Sequence, residues 1–142
     1  NFLIITNQKS KFRKVFKKFK EIKIIKSKWD DVPRYLSIAD VSFCLIKPTF
    51  AKIASTPTKA SESFSMGVPI ITNKKIGDYE KIIKTEKIGC LIDLKNIKNI
   101  KNYLKISTLF RLNKKVVRSK SQKYFDINLA VKKYNRIYEL LS

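Results

Sequence analysis

The chain has 142 residues, with 32 Lys and Arg against 11 Asp and Glu, no His, two Cys and a formal net charge of +21. Its length suits one domain, and a 44% hydrophobic content is enough to bury a core, so the charge is no sign of disorder. No apolar run approaches the ~20 residues of a membrane span, two Cys without a His argue against a zinc site, and any mechanism needing a histidine base is excluded within this chain.

Phe2 to Thr6 is a short apolar run of strand type, too brief for a signal-peptide core. With no initiator Met before it, the chain is expected to begin inside a longer protein. Ser10 is expected to cap a helix carrying Phe12, Val15, Phe16 and Phe19 on one face and lysines on the other. Ile22 to Ile25 is a second strand. Asp30 and Asp31 precede a helix with Val32, Leu36 and Ala39 at helical spacing and Pro33 in its first turn. Trp29, beside it, sits at a core edge or on the surface.

Val41 to Ile46 is a third strand, continuously apolar as a strand covered on both faces would be. Lys47 to Pro57 reads as a loop, and Thr58 to Met66 as a helix stopped by Gly67. Val68 to Thr72 is a fourth strand; Gly77 and Asp78 open a helix with Ile82 and Ile83 inward; Ile88 to Ile92 is a fifth strand. Helices follow over about 96–104, 107–122 and 126–141, the last with Ala130, Tyr134, Ile137, Tyr138 and Leu141 on one face. Cys44 and Cys90 lie within apolar runs, which suits buried free thiols in a reducing compartment, although a disulfide stays open from sequence. The alternation predicts one α/β, Rossmann-like domain over residues 1–142, a parallel sheet of about five or six strands with helices on both faces.

The charge is uneven. Residues 1–28 hold 10 basic and 1 acidic, residues 95–142 hold 13 and 2, and residues 29–94 hold 9 and 8. Lys, Ile and Asn together account for 56 residues, so compositional bias explains much of the excess. An anionic membrane surface or a nucleic acid is the alternative. Against nucleic acid, the cations are 27 Lys and only 5 Arg, whereas base-edge readout leans on Arg. The Phe face of the first helix also looks like core rather than a base-stacking platform.

In an open parallel sheet, ligands bind beyond the carboxyl ends of the strands, near helix N-termini. The loop after strand three runs Lys47-Pro-Thr-Phe-Ala-Lys-Ile-Ala-Ser-Thr56 and feeds Pro57-Thr58-Lys59 at the head of a helix. Backbone N–H groups, the hydroxyls of Ser55, Thr56 and Thr58, and Lys59 form a candidate anion site with a diphosphate as the natural guest. Glu62, one turn along, can accept hydrogen bonds from a vicinal diol. The plainer alternative stays open at this point: Thr58 as an ordinary helix cap, and Lys59 with Glu62 as a solvated pair worth a few tenths of a kcal/mol. The chain's glycines, Gly67, Gly77 and Gly89, form neither a dinucleotide fingerprint nor a P-loop.

The order of the pieces is more specific. Val32-Pro-Arg-Tyr-Leu-Ser-Ile-Ala-Asp40 precedes the third strand, then come Ser55-Thr-Pro-Thr-Lys-Ala-Ser-Glu-Ser-Phe-Ser-Met-Gly-Val-Pro-Ile-Ile-Thr-Asn73 and Gly77-Asp78, and the chain closes with Tyr134-Asn-Arg-Ile-Tyr138. This resembles the C-terminal, donor-binding domain of GT-B glycosyltransferases of group 1, the family 4-like retaining enzymes. The likeness spans residues 2–141 and is most specific over Ser55 to Asn73.

The resemblance implies one half of a GT-B enzyme, transferring a sugar from a nucleoside-diphosphate donor to a glycan or lipid-linked acceptor. The acceptor would be held by an N-terminal domain that this chain is too short to contain, so the domain alone is expected to be inactive. It implies that Thr58 and Lys59 hold the diphosphate, with Lys59 stabilising leaving-group charge, and that Glu62 binds the ribose. Gly77 and Asp78 would match a loop near the donor pocket, with Asp78 equally well a helix N-cap. The first Glu of the family's Glu–seven residues–Glu motif would fall at Ala54, where it is missing, which puts the sugar contacts in doubt. The resemblance also implies no metal and no cofactor beyond the nucleotide-sugar substrate, and a cytoplasmic place. Apart from the resemblance, the Ser10 to Lys20 helix, with Lys on one face and Phe on the other, could make peripheral contact with an anionic membrane, the plainer alternative being that its Phe face packs on the sheet. A basic nucleic-acid module and a catalytically silent α/β partner domain are the competing readings.

Overall fold

In the computed structural model, which describes residues 1–95 and 105–141, the apolar runs become parallel strands and the periodic segments between them become helices. The helix expected over 96–104 lies outside the described residues. The chain forms two units, Asn1–Tyr35 and Leu36–Ser142.

In the first unit, β1 (Phe2–Ile5) pairs in parallel with β2 (Ile22–Ile25), in register from Phe2 opposite Ile22 to Ile5 opposite Ile25. Helix α1 (Lys9–Val15) makes the crossover. Ser10 is not its cap: Gln8 occupies that position without a side-chain bond, and Ser10 is the second helical residue. The Thr6 hydroxyl instead accepts from the Gln8 amide at 3.1 Å, turning the chain as it leaves β1. Phe12 and Phe16 are half-buried, with ring centroids 6.1 Å apart. Val15 and Phe19 are exposed, because α1 ends at Val15 and Phe19 falls beyond the helical period. Trp29 is a surface residue at the head of a 3-10 turn, Trp29–Asp31, which leads into α2 (Val32–Ser37).

The second unit is built on a three-stranded parallel sheet of β3 (Ser42–Cys44), β4 (Ile70–Asn73) and β5 (Gly89–Ile92), in that spatial order. Its helices are α3 (Phe50–Ile53), α4 (Thr58–Ser65), α5 (Tyr79–Glu86), α6 (Lys105–Leu109), α7 (Lys114–Phe125) and α8 (Ile127–Leu141). Where one sheet of about five or six strands is expected, the described strands thus form two sheets, of two and three. An apolar run specifies that a strand is buried, not which edge it pairs with, so the grouping lies beyond sequence reasoning. The expected third strand also shortens to three residues, and Phe43 within it is exposed. The helix expected over 107–122 is broken. Asn113 accepts from the Lys115 amide at 2.8 Å and starts α7 as a separate helix.

β4 is buried along its whole length, and alternate residues feed two cores. Ile70 packs with Ala60, Phe64, Tyr79, Ile82, Ile83 and Val117, from α4, α5 and α7. Ile71 packs on the opposite face with Cys90, Ile92 and Leu109 of α6. Cys44 and Cys90 are both buried free thiols. Gly67, in the left-handed conformation, closes α4: the Val68 amide donates to Ser63 O and the Gly67 amide to Phe64 O, both at 2.9 Å. That turn reverses the chain directly into β4. On α8, Tyr134, Ile137, Tyr138 and Leu141 are exposed and Ala130 is half-buried, so most of the apolar face seen in the sequence stays uncovered by the described residues.

Glu86 joins α5 to α7. Its carboxylate, 6% exposed, accepts from Lys123 Nζ at 2.6 Å and Tyr124 Oη at 2.8 Å, while Lys120 Nζ donates to its backbone carbonyl at 2.8 Å. The bonds from Lys123 and Tyr124 hold the carboxyl below its ordinary value. A depressed folded value gives stability that is present above the unfolded value and is lost as pH falls through the folded one. Glu86→Gln should therefore be less stable than the wild type near neutral pH. The difference should shrink as pH falls below ~4 and vanish under stronger acid, as urea denaturation at stepped pH would measure.

Candidate functional site

The site grows out of the carboxyl ends of β3 and β4. Both strands are held there by side chains of β4 after the ladder ends. Thr72 Oγ1 donates to Cys44 O at 2.8 Å, and Asn73 Oδ1 accepts from the Ile46 amide at 2.9 Å. Asn73 Nδ2 donates to Lys74 O at 3.1 Å, so one buried amide ties together both departing segments. The loop expected over Lys47 to Pro57 carries the helical turn α3, on which Phe50 is 94% exposed and Ala54 closes the turn.

From there the chain enters α4 through Pro57, which occupies the N-cap position in extended conformation and has no side-chain acceptor to offer. The first N–H groups of a helix have no intrahelical partner, and here no cap covers them. Thr58 and Lys59 are the first two helical residues, both exposed, so Thr58 is not the cap that the plainer sequence reading allowed. Glu62 is half-buried one turn on. Among the described residues, neither Lys59 nor Glu62 takes part in an ion pair within 4.0 Å. The two charges are therefore not spent on each other. Lys59 does act electrostatically on Cys44, whose thiol is pushed up by burial and partly drawn back by the ammonium.

Gly77 is brought against the entry to α4. It has φ +45°, and a side chain there would strike the Ser55 carbonyl oxygen and come within 3.2 Å of Thr56 Oγ1. Ser55, half-buried, and Thr56, exposed, thus share a wall with the Gly77 loop. Asp78 is exposed at the N-cap position of α5 and makes no side-chain capping bond. The structure accordingly joins Ser55, Thr56 and Gly77 directly, continues them into Thr58, Lys59 and Glu62 along α4, and leaves Asp78 facing solvent.

Three residues of this region escaped sequence reasoning: Thr72, Asn73 and Tyr79. The polar pair Thr72-Asn73 closing an apolar strand was the available signal for the first two. Tyr79 looks like one more apolar position of α5, and its ring is fully buried against Phe64 and Phe125 at about 6 Å. Its hydroxyl, however, donates to Pro57 O at 2.6 Å. Burial, followed by the nearby Cys44, pushes the phenol well up, and a hydrogen bond with Ser61 only partly opposes this, so the group stays protonated and able to donate.

The local charge also differs from the regional balance. Between Leu45 and Asp78 stand Lys47, Lys52, Lys59, Lys74 and Lys75 against Glu62 and Asp78. An end of the sheet with this surplus favours an anion. Among the described residues there is no group of three or more His, Cys, Asp or Glu able to hold a metal ion.

The family model for glycosyl transferases group 1 matches residues 7–122. The chain belongs to that family. A sucrose-phosphate synthase from Thermosynechococcus elongatus has a similar structure, with a TM-score of 0.66 at 18% identity. The match covers 98% of this chain and 38% of that one, so this chain spans well under half the length of the solved relative. At that identity the likeness speaks for the fold, the Rossmann-like α/β fold of a GT-B glycosyltransferase domain. No curated protein matches the chain.

In this group 1 glycosyltransferase domain, Gly77→Ala tests how closely the two loops are coupled. The added carbon must displace Ser55 and adopt a left-handed conformation, so the variant should lose about 1–3 kcal/mol of stability in denaturant titration. Gly89→Ala, against Ile70 O within the sheet, would serve as the comparison away from the site.

Proposed function

We propose that this chain is the donor-binding, C-terminal half of a glycosyltransferase that takes a sugar from a nucleoside-diphosphate donor. In this reading the diphosphate lies on the N-terminus of α4, hydrogen-bonded by the Thr58 and Lys59 amides and the Thr58 hydroxyl, with the Lys59 ammonium beside it. Glu62 accepts from the two ribose hydroxyls, and Ser55, Thr56, Gly77 and Asp78 border the same pocket. The observation that carries it is the start of α4: a helix end with no side-chain cap at the carboxyl edge of the sheet, with Lys59 and Glu62 on its first turns and, among the described residues, neither in an ion pair. Family membership supports sugar transfer as the reaction class.

The chemistry follows from charge. As the glycosidic bond breaks, negative charge collects on the leaving diphosphate. Fixed N–H dipoles and one ammonium stabilise that charge more than they stabilise the ground state, which lowers the barrier. The cation and helix end can do this from the chain's own residues. The acceptor, a glycan or a lipid-linked glycan, would be held by other parts of a longer protein, and this domain alone would bind donor without turning it over. Ala54, standing where the family motif has its first Glu, leaves the sugar to be held by other groups.

Calorimetric titration with UDP, GDP, CDP and ADP at physiological salt tests the proposal. One nucleoside diphosphate should bind saturably, and Lys59→Ala and Glu62→Ala should each weaken it by ~1–3 kcal/mol, the range for a charge-assisted hydrogen bond. A short DNA duplex is the counter-probe. Binding to DNA alone, with a steep salt slope and no effect of either substitution, would replace the donor reading by a nucleic-acid one.

A further inference from the structure

We propose that Tyr79 is a positioning residue for the diphosphate site, acting through the single peptide that joins Pro57 to Thr58. The inference rests on the donor-binding reading of α4 and names a residue that reading does not include. Tyr79 Oη donates to Pro57 O at 2.6 Å, across from α5 to the entry of α4. The same carbonyl accepts from the Ala60 amide at 3.1 Å, so it is held from two sides.

A peptide unit is planar, and in the trans form its N–H points opposite to its C=O. The chain has no cis peptide among its described residues. Anchoring Pro57 O therefore fixes the direction of the Thr58 N–H, which must aim away from Tyr79 and the buried aromatic cluster, on the side where Thr58 is exposed. Thr58 N–H is the first amide of the helix and the first donor an anion there would meet. A donor bonded to the carbonyl also polarises the peptide, which strengthens its N–H as a donor in turn. Pro57 has no N–H and a fixed φ, so the remaining freedom of this peptide is largely rotation at Pro57 ψ, the motion the hydroxyl blocks. The ring of Tyr79, packed against both Phe64 and Phe125, holds the hydroxyl in place.

Tyr79→Phe removes the hydroxyl and keeps the ring. In the full chain it should raise the Kd of the preferred nucleoside diphosphate by about 5- to 15-fold, as loss of one well-placed hydrogen bond does. The matching nucleoside monophosphate should be affected less, since it has fewer oxygens at the helix end, so preference for the diphosphate should narrow. Phe125→Leu disturbs the same aromatic cluster while leaving the hydroxyl, and it is the control for general loosening. It should lower the melting temperature with the Kd unchanged. Equal affinity of Tyr79→Phe and wild type would overturn the role, as would an equal loss in Phe125→Leu. Failure of the wild-type chain to bind any of the four diphosphates would instead overturn the donor reading, and the positioning role with it.

Discussion

Burial of β4 on both faces is the constraint on which the second unit is built. Ile70 and Ile71 are at most 1% exposed, and they point to opposite cores. A strand in that position needs helices on each side of the sheet and parallel neighbours reached by crossovers. Those crossovers are α4 and α5, and their first turns emerge at the carboxyl edge. Thr72 and Asn73 extend the same strand into polar contacts that hold the segments leaving β3 and β4. The apolar demand of one strand and the geometry of the candidate anion site are thus a single arrangement, since moving β4 by one residue would expose the core and release both loops.

Charge in this protein is organised at two scales. Across the chain the lysine surplus is general and heaviest towards the ends. Around the exits of β3 and β4 it is local, with Lys47, Lys52, Lys59, Lys74 and Lys75 against Glu62 and Asp78, while Glu80 stands in the first turn of α5, at the same edge, and Glu86 at that helix's far end. Glu80 and Glu86 are engaged with Lys84 and Lys123 at 2.7 and 2.6 Å. Carboxylates paired with other lysines do not compete with an incoming anion for the cations of this edge. A near-neutral sum over residues 29–94 conceals this, since a sum ignores which loops meet.

Much of the architecture was legible in one sequence. Five apolar runs separated by amphipathic segments are the five strands and the helices between them. Gly67 after Met66 marked the end of α4, because the left-handed residue of such a turn is almost free for glycine. The segment from Ser55 to Asn73 pointed to the candidate site, and the family match over residues 7–122 agrees with the resemblance those residues carry. The misjudged details have local causes. Ser10 looked like a cap, but Thr6 had already turned the chain and the helix began two residues earlier than a Ser10 cap requires. Phe19 looked like core because a 3.6-residue period was extended past the point where α1 stops. Asn113, a polar residue inside a helical pattern, split one expected helix into two.

By itself the sequence determined the order and type of the elements, the α/β class and the family resemblance of the Ser55 to Asn73 stretch, because these follow from local periodicity, turn residues and residue types in a fixed order. Only the tertiary structure decided how strands group into sheets, that Gly77 abuts Ser55, that Pro57 leaves α4 uncapped, and that Tyr79 reaches back 22 residues to hold the Pro57 carbonyl. Contacts between residues far apart in the chain depend on which faces meet, and a buried tyrosine has the same apolar signature whether or not its hydroxyl finds a partner.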